Sequence, residues 1–315
     1  MKQFDSIGKP HSTELDSLLG IPFPVLDDGF IRVIDYMGTD ESIVQAARVS
    51  YGKGTKQKLE DDALIRYLIR QTHTSPLEMC ELKLHIRIPM DAWRQFIRHR
   101  TMNVNEYSTR YSEAIEEKYC ASVWRAQSTD NKQGSSGVVE SIPDGFNIGT
   151  MSAQEFLSKE EKMLHRTCKT IYENRLKFGV AREQARKDLP LSTYTEAYIK
   201  FDLHNLLHFL RLRMDSHAQE EIRAYATIIG EKIVSKWVPS VWQAFLDYTF
   251  NAMRLSTQEQ KILSCLFNDK DTAIIELQNM GWFEKNKKGV LKSHRERQEF
   301  EAKLNQLNIT IPWTI

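Results

Sequence analysis

The chain is 315 residues long, 41% hydrophobic and 27% charged, with a formal net charge of +1. Those proportions suit a globular protein that buries a full core, as one large domain or one domain with an appendage. So even a balance excludes a global field that would recruit nucleic acid or membrane, and any anion site must be built from a few local basic groups.

Taken in chain order, Ile31 to Tyr36 predicts a strand and Ser42 to Val49 a short helix. Leu59 to Arg70 carries apolar residues at helical spacing and predicts an amphipathic helix. Leu82, Leu84, Ile86 and Ile88 then alternate with Lys83, His85 and Arg87, the pattern of a strand with one buried face. Pro89 ends that strand. Met90 to Ile97 resumes a helical pattern, with Asp91 as its expected cap and Trp93, Phe96 and Ile97 facing inward.

The stretch from Gln127 to Gly149, rich in Ser, Gly, Asn and Pro, predicts a loop. A long helix is expected from about Ala153 to Phe178. A strand from Tyr194 to Phe201 should run straight into a helix from Asp202 to about Met214, and helical pattern continues from His217 to Thr249, interrupted near Pro239. Ser256-x-x-Glu259 is a capping-box signature that opens a smaller tail of two or three short helices. In the tail, Trp282, Phe283, Leu291 and Phe300 argue for a segment that folds or docks. Its basic run (Lys285, Lys287, Lys288, Lys292, Arg295, Arg297) interleaves with Glu284, Glu296 and Glu299, which favours a solvated helical face over a nucleic-acid patch. The expected fold class is α+β, a mixed α/β arrangement with a central sheet flanked by helices and a small helical C-terminal extension.

Cys80, Cys120, Cys168 and Cys265 are widely spaced and form no C-x-x-C pair, so they are expected to be small buried hydrophobes in a reducing compartment. The N-terminus lacks the apolar run of a signal peptide, and no stretch is long enough to span a bilayer, which predicts a cytoplasmic protein without membrane contact.

The densest polar cluster runs from Arg94 to Tyr111, RQFIRHRTMNVNEYSTRY. Arg94, Arg98, Arg100 and Arg110 stand there with His99 against a single acid, Glu106. After the helix the stretch reads as loop: Asn103, Asn105, Ser108 and Thr109 are poor helix formers rich in hydrogen-bonding groups. Guanidinium forks match phosphate oxygens, so a phosphorylated ligand is the natural partner. The alternative is an exposed basic helix end neutralised by acids from elsewhere, and the polar loop after the arginines weighs against it.

Arg98-His99-Arg100, seven residues and then Ser108 resembles the R-H-R-x7-S signature of the flavin-dependent thymidylate synthases. Asn105, Glu106, Ser108, Arg110 and Tyr111 also fit that family. So do His73-Thr74-Ser75-Pro76-Leu77-Glu78, Ala185-Arg186 with Leu189-Pro190, and the block from Asp202 to Gln219. The resemblance spans roughly residues 30 to 250 in matching order. It implies a catalytic domain over 1–254 and an extension of unknown role over 255–315.

What the resemblance implies is methylation of dUMP to dTMP, with methylenetetrahydrofolate as carbon donor, FAD as redox cofactor, NADPH as reductant and no metal. It also implies a homotetramer with active sites between subunits. By the same resemblance, Gln95, Arg98, Glu106, Tyr107, Ser108, Thr109, Arg110, Arg186 and Arg213 would bind dUMP. His73, Ser75, Arg98, His99, Arg100, Glu106, Asp202, His204 and His208 would contact FAD. Arg213 would be catalytic: a fixed cation beside the uracil stabilises negative charge on N3 and O2 and so raises the nucleophilicity of C5. The bland alternative for Arg213 is a pairing with Asp215. Ser108 lacks a histidine placed in sequence to activate it, so hydrogen bonding to substrate is its expected role.

Two rivals remain from the residues themselves. His204 and His208, four apart on one helical face with His217, Glu220 and Glu221 following, could serve a metal-dependent phosphohydrolase, although H-E-x-x-H is absent. Arg94 to Arg110 with the basic tail could serve a nucleic-acid-binding protein.

Overall fold

The structure, a computed structural model, describes residues 8–49, 60–128 and 134–313; Leu59 and part of the expected loop, 129–133, lie outside it. The chain divides into two compact units, Met1–Phe250 and Asn251–Ile315. Among the described residues no helix is long and apolar enough to cross a membrane.

In the first unit a short helix α1 (Thr13–Asp16) precedes strands β1 (Phe23–Val25) and β2 (Gly29–Met37). Helices α2 (Asp40–Arg48), α3 (Asp61–Arg70) and α4 (Ser75–Glu78) lead to β3 (Glu81–Pro89), α5 (Met90–Phe96) and β4 (Asn103–Glu106). A ribbon of β5 (Arg125–Gln127) and β6 (Ser135–Val138) comes next. The long helix α6 (Ala153–Lys177) and α7 (Arg182–Ala185), running into a 3-10 turn over Arg186–Asp188, lead to β7 (Tyr194–Asp202). The unit closes with α8 (Leu203–Arg213), α9 (Glu220–Ile228) extended by a π-helical segment, α10 (Ser235–Trp237) and α11 (Pro239–Phe245).

Five strands form one antiparallel sheet in the order β1-β2-β3-β7-β4. The alternation in β3 sets its two faces. Leu82, Leu84, Ile86 and Ile88 join Ile31, Val33, Ala197, Ile199 and Phe201 in a core shared with Leu64, Trp93, Phe96, Leu206, Phe209 and Trp237 from the helices. Each fully buried large side chain of this kind contributes about 1.5–3 kcal/mol, and that burial holds the helices on one face of the sheet. The opposite face carries Arg32, Lys83, His85, Glu196, Tyr198 and Lys200. His85 stacks on Tyr198 with centroids 4.7 Å apart. Its Nδ1 accepts from Arg32 Nε at 3.0 Å, so its Nε2 donates to Glu196 at 2.9 Å.

The second unit has its own core. Helices α12 (Thr257–Asn268), α13 (Lys270–Asn279) and α14 (Arg295–Gln306) enclose Ile262, Leu277, Trp282, Phe300, Leu304 and Trp313. The Ser256–Glu259 capping box is formed in both directions.

Several expectations are corrected. Asn103–Glu106, read as loop, is an edge strand paired with β7, and part of the Gln127–Gly149 stretch is the β6 strand. Asp91 is not the cap of α5: Pro89 holds that position, and Asp91 sits in the first turn. Ile97 is 40% exposed rather than inward-facing. The helix expected from His217 starts at Glu220, and Pro239 begins a helix, where its missing N–H costs nothing. Of the cysteines only Cys80 is buried, while Cys120, Cys168 and Cys265 are partly exposed. The basic tail is not one helical face: Lys285 and Leu291 bridge an exposed turn carrying Lys287 and Lys288, and Arg297 is buried.

Candidate functional site

Two groups of the expected residues assemble in the first unit. The first lies where the C-terminal ends of α5 and α8 meet. Trp93 and Phe96 anchor α5 in the core, with the Phe96 ring 4.4 Å from that of Phe209 on α8. Past Phe96 the chain turns through Arg98, His99 and Arg100. The His99 ring packs edge-on against Phe209 at 4.9 Å and lies 6.4 Å from the His208 ring. From the last turn of α8, Arg213 donates through Nε to His99 Nε2 at 3.0 Å and through Nη2 to the Gln95 carbonyl at 3.5 Å.

Arg213 is therefore not paired with Asp215, whose carboxylate instead meets His217 at 2.8 Å. Burial first, then the neighbouring Arg213 and His208, push His99 down to about 4. The hydrogen bond agrees, because Nε2 can accept from a guanidinium only when it carries no proton. Burial also lowers Arg213, yet a guanidinium keeps its charge. Arg94, Arg98 and Arg100 are exposed, and among the described residues no carboxylate is paired with any of them.

The flanks of this group come from α4 and α8. Asp202 caps α8, accepting from Asn205 N at 2.9 Å and Asn205 Nδ2 at 2.7 Å, so its carboxylate already has structural work. His204 stands one turn before His208, whose pKa is lowered by burial and then by Arg211 and His204. The helix that begins at Ser75 packs on α8, and exposed His73 meets Tyr67 edge-on at 5.6 Å.

The second group forms after β4. Tyr107 N donates to Glu196 O at 2.8 Å, extending the strand pairing, and Tyr107 Oη donates to Glu113 O at 2.7 Å. Tyr111 N and Ser112 N both donate to Ser108 O at 3.1 Å, which turns the chain. Into this turn comes Arg186, whose Nη1 donates to Thr109 Oγ1 at 2.5 Å across 77 residues of sequence. Arg182 Nη1 reaches Tyr111 O at 3.4 Å, and Arg110 pairs loosely with Glu183 at 3.7 Å. Glu106 accepts from Thr195 Oγ1 at 2.9 Å. Ser108 Oγ accepts only a 3.4 Å bond from Arg110 N, and among the described residues no histidine hydrogen-bonds it.

Among the described residues no hydrogen bond or ion pair joins the two groups. Each offers guanidinium groups without full carboxylate compensation, a donor set that fits a phosphate or diphosphate. Among the described residues no group of three or more His, Cys, Asp or Glu side chains could hold a metal ion. A groove of about 540 Å³ lies on the polar face of the sheet, lined by Lys83, Asn103, Asn105, Tyr198 and Lys200 among others.

Behind the first group is a contact with no counterpart in the expected site. Gln95 Nε2 donates to Gln219 Oε1, and Gln219 Nε2 reaches Asp91 Oδ2 at 3.4 Å. Gln219 ends the Asp202–Gln219 block and has no role among the expected site residues, and Asp91 is expected only as a helix cap. No periodicity signals an amide pair 124 residues apart.

Comparison with known proteins gives concordant matches. The family model described as thymidylate synthase complementing protein matches residues 32–240. A flavin-dependent thymidylate synthase of Wolbachia pipientis wMel is 46% identical over 260 residues, spanning 82% of this chain and 88% of its own. One from Rickettsia conorii is 47% identical over 263 residues, spanning 81% and 88%. Among solved structures, the UMP/dUMP methylase PolB from Streptomyces cacaoi bound with 5-Br dUMP aligns with a TM-score of 0.61 at 28% identity, covering 72% of this chain and 98% of that one.

Proposed function

We propose that this chain, which belongs to the flavin-dependent thymidylate synthase family, methylates dUMP using FAD, methylenetetrahydrofolate and NADPH. Its activity is flavin-dependent thymidylate synthesis; the identity of the flavin, the carbon donor and the reductant are the proposed parts. In balance, dUMP, methylenetetrahydrofolate, NADPH and a proton give dTMP, tetrahydrofolate and NADP⁺. The bound flavin would supply the electron transfer that turns the transferred one-carbon unit into a methyl group.

The observation that carries this reading is the division of labour in the Arg98-His99-Arg100 turn. His99 is bonded by Arg213, while Arg98 and Arg100 are exposed and, among the described residues, unpaired. Arg98 and Arg100 would take the phosphates of FAD, with His99, His204 and His208 lining its contact and His73, Ser75, Glu106 and Asp202 at its edges. Gln95, Arg98, Glu106, Tyr107, Ser108, Thr109, Arg110 and Arg186 would hold dUMP, with Arg186 on the phosphate.

Arg213 would be the catalytic group. A guanidinium has five N–H groups; two are engaged by His99 and Gln95, and five less two leaves three for substrate. A partly buried fixed cation beside the pyrimidine stabilises charge on N3 and O2 as C5 attacks. Ser108 would bind rather than attack, since no base touches its hydroxyl among the described residues. In the homotetramer that the resemblance implies, with active sites between subunits, the two groups of one site would come from different subunits. The enzyme would work in the cytoplasm without nucleic acid or membrane.

The test is formation of dTMP by the purified protein supplied with dUMP, FAD, methylenetetrahydrofolate and NADPH. FAD-dependent dTMP supports the proposal. Chelator-sensitive release of phosphate without dTMP would favour the phosphohydrolase instead.

A further inference from the structure

The amide chain behind the first group has a directional consequence. Asp91 Oδ1 accepts from Ala92 N at 2.7 Å and its Oδ2 faces Gln219 Nε2 at 3.4 Å. A carboxylate only accepts, so it requires the nitrogen of the Gln219 amide on its side.

With its nitrogen committed to Asp91, Gln219 can present only Oε1 to Gln95. That oxygen takes the Gln95 nitrogen, as the contact shows. Of the Gln95 amide, Oε1 is then the atom left to meet a ligand as an acceptor. The Gln95 main-chain carbonyl accepts in turn from Arg213, which brings the guanidinium to the same residue.

We propose that Gln219 and Asp91 are positioning residues that lock the Gln95 amide oxygen outward, so that the site selects a uracil ring, with its N3–H donor, over a cytosine ring. This rests on the functional reading above, in which Gln95 is among the residues that hold dUMP, and takes its amide as facing the base. Uracil offers acceptor, donor and acceptor along its imide edge, which complements the donors of Arg213 beside a fixed acceptor. Cytosine has a lone pair at N3, which would face the Gln95 oxygen without a proton between them, and an unmade hydrogen bond at such a position is costly. A free Gln95 amide could rotate to satisfy either ring; one oriented by Asp91 through Gln219 cannot.

The experiment measures dUMP and dCMP binding to the full-length, FAD-loaded protein by the change in flavin absorbance, for wild type, Gln219→Leu, Gln219→Glu and Asp91→Asn. Wild type is expected to prefer dUMP. Gln219→Leu should lower the dUMP-to-dCMP preference by about tenfold or more, the size expected when one hydrogen-bond orientation is no longer enforced. Gln219→Glu, which still offers an oxygen to Gln95, should restore most of the preference, an effect a merely structural role would not produce. Asp91→Asn, able to turn either amide atom toward Gln219, should also lower the preference and serves if Gln219→Leu fails to fold. Wild-type preference retained in both Gln219→Leu and Asp91→Asn would overturn the proposal while leaving the synthase assignment intact. Absence of dUMP binding in wild type would overturn both.

Discussion

Arg213 donates its Nε hydrogen to Nε2 of His99 at 3.0 Å, joining the end of α8 to the Arg98-His99-Arg100 turn across 114 residues. The bond makes His99 a neutral imidazole whose remaining proton is on Nδ1, and burial together with Arg213 and His208 pushes its pKa down to about 4. Replacing Arg213 with Met removes both the donor and the cation, so the His99 pKa should rise toward 6.5. An NMR titration of the His99 ring reads this directly; an unchanged midpoint would mean that burial alone sets it.

The same depression has a consequence for stability. Between the ordinary value of 6.5 and about 4, the unfolded chain takes up a proton that folded His99 refuses. The stabilisation is therefore present above pH 6.5 and is lost as the pH falls through that window. His99→Asn should remove this part of the acid sensitivity, as judged by Tm against pH for the two proteins.

Asp40 titrates in the opposite sense. Its carboxylate accepts from Ser240 N at 2.9 Å and Val241 N at 3.2 Å, capping α11, yet burial raises its pKa to about 6. Between 3.8 and about 6 the folded chain holds a proton that the unfolded chain has lost, so this group's contribution falls as the pH rises. Asp40→Asn should flatten that contribution. Asp40→Ala should cost about 1–3 kcal/mol in urea unfolding, because two N–H groups lose their acceptor. A pH-independent difference between wild type and Asp40→Asn would count against a buried titrating carboxyl.

Arg186→Ala is expected to weaken dUMP binding by about 1.5–3 kcal/mol, the worth of a charge-assisted hydrogen bond, with kcat less affected. Equilibrium titration with dUMP checks it, and an unaltered Kd would remove Arg186 from the site.

Legibility differed by kind of feature. β3 was plain because Leu82, Leu84, Ile86 and Ile88 alternate against charged neighbours, and α8 because Asp202 caps an apolar helix. β4 was hidden: it is a four-residue edge strand of polar character with every residue exposed, so no face is buried to leave a pattern. At the site, the arginines and Ser108 could be read from one contiguous motif. The bonds from Arg213 to His99 and from Arg186 to Thr109 required the fold, since sequence spacing carries no information on contacts 114 and 77 residues apart. The Asp91–Gln219–Gln95 chain is not legible in the sequence, because Asp91 near a helix start resembles a cap, whereas Pro89 takes that place.

Arg213 is the proposed catalytic group. If it acts on the uracil, Arg213→Ala should lower kcat by about 10²–10³, the usual effect of removing one preorganised donor. The direct measurement is the flavin absorbance band of this variant and of wild type, titrated with dUMP while dTMP formation is followed. A normal flavin band is expected in both proteins, with a dUMP-induced shift in wild type and turnover lowered by that factor in the variant. Loss of flavin from the variant, with wild-type turnover once excess FAD is supplied, would contradict that role and assign Arg213 to the cofactor.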